Sequence, residues 1–334
     1  MICHHVVLSH VLLVALSLTV CSSANSRPNG ESGETSKPPR AGTLCQLLSR
    51  DVLTAESENL PAVHRLKLSL PTSYRIPECC HGDDGMIHVR VKAPDAPKQT
   101  MRVNPYSAHI NETDSSFTIV VKVYPGGSPD SPGVSSYLGA VNVGDYVHVP
   151  EIRAWDWRRD SKRTAMICFG VGITECLGPA ASLLKSGAEV RMVYASRDAD
   201  QIILGDSIKA LLDAYPSRFR VRHCLSQPGA STRLSPRKAA LQSHHGSETT
   251  GGRVDYKVLT EEFGGKWKGG GLAEHFFMIG TTAMEQQVLG MIGRAQLADF
   301  SKIRGHPEFL LMKGPHGHNS NWNALSPNSD EREL

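Results

Sequence analysis

Residues 164–174 read Thr164-Ala-Met-Ile-Cys-Phe-Gly-Val-Gly-Ile-Thr174. A short apolar run, Thr164 to Phe169, passes directly into Gly170-Val171-Gly172. Glycines at the end of a strand let a backbone approach phosphates, and the start of a following helix favours anions. Only two of the three glycines of the dinucleotide fingerprint are present. Taken alone, the residues fit a tight strand-to-helix turn equally well. The surroundings extend the pattern. Leu177 to Lys185 has helical spacing, Glu189 to Ala195 reads as a second apolar strand, and Ile202 to Tyr215 is again helical. Arg218 to Cys224 is a third strand, Phe276 to Ile279 a later one ending at Gly280, and Ala283 to Arg294 a further helix. Strands and helices in alternation, with glycines at strand ends, predict a parallel doubly wound sheet. Such sheets bind nucleotides outside the carboxyl ends of their strands.

Upstream the pattern is different. His64 to Leu70 and Met86 to Val91 alternate apolar and polar residues, as half-buried strands do. Phe117 to Tyr124 is rich in β-branched residues. Asn142 to Val149 is expected to be another strand, with Gly144-Asp145 as a turn. Pro and Gly clusters separate these runs, which predicts a small antiparallel β-barrel. The chain is therefore expected to be two-domain, with a β-barrel at 41–160 followed by a Rossmann-like α/β parallel sheet at 161–312. The length of 334 residues agrees with two domains.

Other segments fall outside these domains. Val6 to Val20 is an apolar run of fifteen residues, short of the ~20 needed to span a bilayer. Residues 1–24 are read as a signal peptide or a membrane anchor, with Ser22 and Ala24 as small residues for cleavage and no Lys or Arg ahead of the run. Residues 25–40 carry Pro28, Pro38 and Pro39 and read as a linker. Residues 228–250 show no periodicity and are read as a surface insertion, and 313–334 as a polar tail. A net charge of +3 is too mild to argue for nucleic acid. Eight cysteines at irregular spacing do not form a disulfide scaffold. His244-His245, His316 and His318 lack the Cys or carboxylate spacing of a metal site, so no metal is expected.

Four further stretches sharpen the reading. They are Asn104-Pro105-Tyr106-Ser107, Gly133-Val134-Ser135-Ser136-Tyr137-Leu138, Gly170-Val171-Gly172-Ile173-Thr174 and Gly280-Thr281-Thr282-Ala283-Met284. In this order and at these spacings, over roughly residues 44–312, the chain resembles the ferredoxin–NADP reductase superfamily. Within it, the chain is most similar to the NADH–cytochrome b5 reductase group. The resemblance implies an FAD-binding barrel and an NAD(P)-binding α/β domain. It implies that Tyr106 packs on the flavin and that Ser107 lies near the ring nitrogen that accepts hydride; these two are the candidate catalytic residues. Asn104 and Pro105 belong to the same motif. Val120 and Lys122 match FAD-lining positions, and a cation within an apolar strand suits a diphosphate. Val134 and Ser135 match the pair that bonds the same diphosphate, and Thr174 a threonine beside the flavin. Gly170, Gly172, Gly280 and Met284 would border the nicotinamide nucleotide.

The chain departs from the family pattern at four places. Asn104 replaces an arginine and cannot supply its fork of donors; Arg102, two residues away on the same face, is a substitute. Pro132 takes the slot of a glycine, Glu175 that of a proline and Ile279 that of a cysteine. Cys168 and Cys176 are read as buried core thiols. The family position that often carries an Asp for the ribose hydroxyls falls on Gln201, with Asp200 one place earlier, while Arg197 suits a 2′-phosphate; NADH is expected from the subgroup resemblance alone, and NADPH stays open. The implied function is an FAD-dependent NAD(P)H reductase passing electrons to a one-electron acceptor such as a cytochrome b5-type haem protein. The rival is a non-catalytic relative that keeps the fold as an interaction or scaffold protein. The expected location is membrane-associated, through residues 6–20, or the secretory pathway.

Overall fold

The computed structural model describes residues 43–56, 60–75, 86–93, 103–124, 127–128, 131–155, 161–228, 246–265, 267 and 270–297. The leader, linker and tail, Arg102, and most of the expected insertion (229–245) lie outside the described residues. No helix among the described residues is long and apolar enough to cross a membrane.

The first half is a closed antiparallel barrel. In chain order its strands are β1 (Thr43–Thr54), β2 (Val63–Ser69), β3 (Met86–Lys92), β4 (Val103–Asn111), β5 (Ser116–Lys122) and, after two short strands, β8 (Tyr146–Trp155). The short strands, β6 (Gly127–Ser128) and β7 (Ser131–Pro132), pair with each other. Around the barrel the order is β1-β2-β5-β4-β3-β8. Period-two alternation divides the faces. Phe117, Ile119 and Val121 fill the interior with Leu66, Leu68, Ile87, Val89 and Val147, while Thr118, Val120 and Lys122 face outward. Two register shifts in β1, after Leu47 and Val52, bend this twelve-residue strand around the closure. Helix α1 (Val134–Ala140) plugs one end with Val134 and Leu138, one turn apart and buried. Its carbonyl end is held by Arg50, which donates to Leu138, Gly139 and Val141.

The second half is a five-stranded parallel sheet. Its strands are β9 (Arg163–Phe169), β10 (Glu189–Ser196), β11 (Phe219–Leu225), β12 (Ser247–Gly251) and β13 (His275–Ile279), in the order β12-β11-β10-β9-β13. Helices α2 (Ile173–Lys185) and α3 (Gly205–Ala214) cover one face. Helices α4 (Tyr256–Phe263) and α5 (Thr282–Arg294) cover the other. With both faces covered, the central strands are largely apolar, and β10 pairs its Arg191 with Glu189.

Three expectations need correction. The strand expected from Asn142 begins at Tyr146 and runs on to Trp155. Asn142–Asp145 is instead a turn, with Gly144 at φ +99° and the Asn142 N–H donating to Asp145 Oδ2 at 3.1 Å. The expected insertion 228–250 contains most of β12, which pairs in parallel with β11. β12 reads Ser-Glu-Thr-Thr-Gly and lies at the edge of the sheet, where a polar strand carries no periodic apolar signal. Helix α2 starts four residues before Leu177, directly after the glycine turn.

His223 on β11 is fully buried against Tyr194, their ring centroids 5.7 Å apart. Neither ring nitrogen has a partner among the described residues. Burial pulls its pKa down from 6.5 to about 4. The fold therefore holds the neutral imidazole, whereas the unfolded chain protonates near 6.5. Stability is complete above pH 6.5 and falls as the pH drops towards 4, by about 3 kcal/mol in all. Urea unfolding should show this acid-side slope in the native chain and its absence in His223→Phe; equal slopes would contradict it.

Candidate functional site

The order of the strands places the reversal of winding between β9 and β13. Helix α2 leaves β9 towards one face, and α5 leaves β13 towards the other. A crevice opens at such a switch point, outside the carboxyl ends of the strands. The glycines sit there. Gly170–Gly172 form a single 3₁₀ turn, with Gly170 at φ +53°, a region that favours glycine. A Cβ on Gly172 would lie 2.9 Å from both Cγ2 and the carbonyl oxygen of Ile279, so only glycine lets the two strand ends approach this closely. Gly280 lies likewise against the Phe169 ring. The Thr174 hydroxyl donates to the Val171 carbonyl at 2.9 Å and closes the turn.

The start of α5 is satisfied by its own side chains. The Met284 N–H donates to Thr281 Oγ1 at 3.4 Å, and the Gly280 N–H to Glu285 Oε1 at 3.1 Å. Burial raises the Glu285 pKa, and the Gly280 hydrogen bond opposes that shift. Met284 stays exposed.

The crevice faces the barrel. The glycine turn packs on β5, and α2 packs on β4. Val120 packs on the core beneath α2, together with Val63 and Leu53. Lys122, two residues along the same face, is half-buried with its Nζ 5.6 Å from the centre of the Tyr124 ring. Burial, and then the nearby charge of Arg197, lower its pKa. Asn104, Pro105, Tyr106 and Ser107 lie on β4, opposite Val91, Arg90, Val89 and His88 of β3. Val134 is buried in the barrel core, and Ser135 is half-buried in the first turn of α1. Across the junction, His88 Nε2 meets Glu175 Oε2 at 2.9 Å.

Thus Gly170, Gly172, Gly280, Thr174, Val120 and Lys122 converge on one junction, with the 104–107 segment on the neighbouring strand. Sequence reading passed over three participants: His88, Tyr124 and Glu285. Only Glu285 left a signal, as an acid in the first turn of a helix capped by Thr281. Cys168 and Cys176 are buried free thiols, and burial pushes Cys176 well up, so it presents no thiolate. Among the described residues no group of three His, Cys, Asp or Glu could hold a metal.

The donor set suits FAD on the barrel side. Lys122 and Arg197 bring two cations to one crevice from two domains, and Lys122 has no ion-pair partner among the described residues. That is the chemistry a diphosphate requires. On the α/β side the glycine turn permits close backbone approach to a nucleotide. Glu175 and Glu285, in the first turns of α2 and α5, oppose an anion there, Glu175 less so because His88 faces it.

Residues 166–289 match the family of oxidoreductase NAD-binding domains. The chain is 27% identical over 209 residues to nitrate reductase [NADH] 1 of Oryza sativa subsp. japonica, covering 57% of this chain and 22% of that protein. It is 26% identical over 147 residues to NADH–cytochrome b5 reductase 1 of Arabidopsis thaliana, covering 42% and 50%. The chain thus spans half or less of the length of these two relatives. Its fold superposes on the cytochrome b5 reductase domain of Ulva prolifera nitrate reductase with a TM-score of 0.53 at 18% identity, covering 78% of this chain and 96% of that one. Residues 166–289 thus match the oxidoreductase NAD-binding family, and the fold, barrel then parallel sheet, is shared with that reductase domain and with a ferredoxin NADP+ reductase from Neisseria gonorrhoeae, at a TM-score of 0.52 and 15% identity over 77% of this chain and 93% of that one.

Proposed function

We propose that the chain is an NADH-dependent flavoprotein reductase that passes electrons singly to a haem protein of the cytochrome b5 type. The observation that carries this reading is the junction itself. The glycine turn at the switch point of the sheet lies against β5 and beside β4, so a nucleotide in the crevice meets whatever the barrel holds. FAD bound there supplies the chemistry, accepting a hydride as two electrons and giving them up one at a time. The chain's own residues bind and orient. Lys122 and Arg197 neutralise a diphosphate, the glycines admit the nucleotide backbone, and Val120 with the core beneath α2 keeps water from the interface. No general base or nucleophile is required.

The relatives named as NADH enzymes favour NADH as the donor. Membrane association through residues 6–20 is part of the same proposal. The decisive preparation is the full chain purified with its leader in detergent. It should be yellow, with flavin near one per chain. A colourless protein that takes up no added FAD would leave the non-catalytic reading in its place.

A further inference from the structure

Glu175 stands where the family resemblance implies a proline. It is the third residue of α2, and its N–H has no carbonyl partner within the helix. A proline in the first turn would remove no helix hydrogen bond, so this chain carries a carboxylate that helix formation does not demand. Helix-start carboxylates commonly turn back on their own backbone N–H groups. This one reaches instead to another domain. Its Oε2 lies 2.9 Å from His88 Nε2 on β3, with the two side chains only 17% and 27% exposed. His88 is directly opposite Ser107 in the β3–β4 register. The contact therefore ties the first turn of α2, three residues beyond Gly172, to the strand pair bearing the 104–107 segment.

Beneath α2 the junction is apolar among the described residues. Val63, Leu53 and Val120 pack against the α2 core by contacts without direction. Apolar packing alone lets one surface slide over another. A hydrogen-bonded pair between a carboxylate and an imidazole fixes both distance and angle. Being partly desolvated, the pair is also less screened than a surface bridge.

We propose that Glu175 is a positioning residue that clamps the start of α2 onto β3 through His88, and so sets the glycine turn at a fixed place against β4 and β5. The clamp rests on the reductase reading for its purpose but not for its existence. Hydrogen exchange on the full chain tests its existence without any cofactor. In Glu175→Pro and in His88→Ala, amides of residues 169–176 and of β3 should exchange about tenfold faster, as loss of one fixed contact at an interface allows. Glu175→Gln, which can still hydrogen-bond the imidazole, should restore most of the protection. The double variant Glu175→Pro/His88→Ala should exchange more slowly than the sum of the two single effects predicts, since both break the same contact. Unchanged exchange in the single variants, or effects that add in the double, would overturn the proposal.

A second arm reads the purpose. In the flavin-loaded chain, the rate of flavin reduction at saturating NADH should fall about tenfold in Glu175→Pro, because misplacement by a fraction of an ångström penalises transfer. Flavin content should stay near that of the native chain, and the apparent KM for NADH should not rise, since the variant removes a carboxylate that opposes the nucleotide. A rise in KM with no fall in rate would contradict positioning. If the native chain holds no flavin, the reductase reading fails while the exchange result still decides the clamp.

Discussion

Replacing Arg191 by alanine is expected to cost about 3–5 kcal/mol, because it removes one partner of a buried ion pair. Arg191 lies on β10 and is only 4% exposed. Its Nε and Nη2 donate to Glu189 Oε1 at 3.0 and 2.9 Å, and its Nη1 donates to the Glu262 carbonyl at 2.9 Å. Its guanidinium lies 4.2 Å from the centre of the Trp267 ring, and Trp267 is buried. Removing it takes a close counter-charge from the buried Glu189 carboxylate and leaves the Glu262 carbonyl short of a donor. Glu262 would feel the loss as well. Burial already raises its pKa, against the lowering charges of Arg222 first and Arg191 second. Arg222 bridges Glu262, Glu261 and Glu248, so the network ties β10 and β11 to α4 and β12. Urea unfolding of Arg191→Ala should show a midpoint far below that of the native chain. The double variant Arg191→Leu/Glu189→Leu should recover much of the loss, since apolar groups of similar volume can replace a buried pair. A loss under about 1 kcal/mol in the single variant would place the network at the solvent-screened surface instead.

The second large effect concerns Lys122. If its ammonium holds the FAD diphosphate, Lys122→Met should weaken FAD binding by roughly 10- to 100-fold. That is the worth of one hydrogen bond to a charged group, about 1.5–3 kcal/mol. The fold should not suffer. Methionine keeps the apolar stem, and the charge it removes is one that burial and Arg197 already disfavour. Flavin titration with the apoprotein measures the affinity, and the urea midpoint supplies the control. Unchanged affinity with a lowered midpoint would make Lys122 a structural residue of the barrel face.

The sheet was easier to read than the barrel, for a physical reason. Its central strands are buried on both faces and stand out as apolar runs: Ala-Met-Ile-Cys-Phe in β9 and, interrupted by Arg191, Val-Arg-Met-Val-Tyr-Ala in β10. β12 was missed because an edge strand has polar residues to spare. The stretch from Leu44 reads as strand type but without bounds for β1, because its outward positions Leu44, Leu48 and Val52 are apolar and exposed, which erases the alternation that marks a half-buried strand. At the site, the glycines were legible because their constraint is local: a turn at φ +53° and a 2.9 Å approach to Ile279. Lys122 was legible as a charge out of place in an apolar strand. His88 and Glu175 were not. They are 87 residues apart and meet only because the barrel docks on α2. Nothing in either neighbourhood marks the pairing, and Glu175 showed only as a departure from a pattern.

The central expectation is that the nucleotide crevice delivers hydride to a flavin in the barrel. Rapid mixing of the flavin-loaded full chain with NADH, oxygen excluded and no acceptor present, reads that event as bleaching of the flavin band. The expected result is complete bleaching in one turnover, at least about tenfold faster with NADH than with NADPH. Flavin that stays yellow under excess NADH and excess NADPH would contradict it.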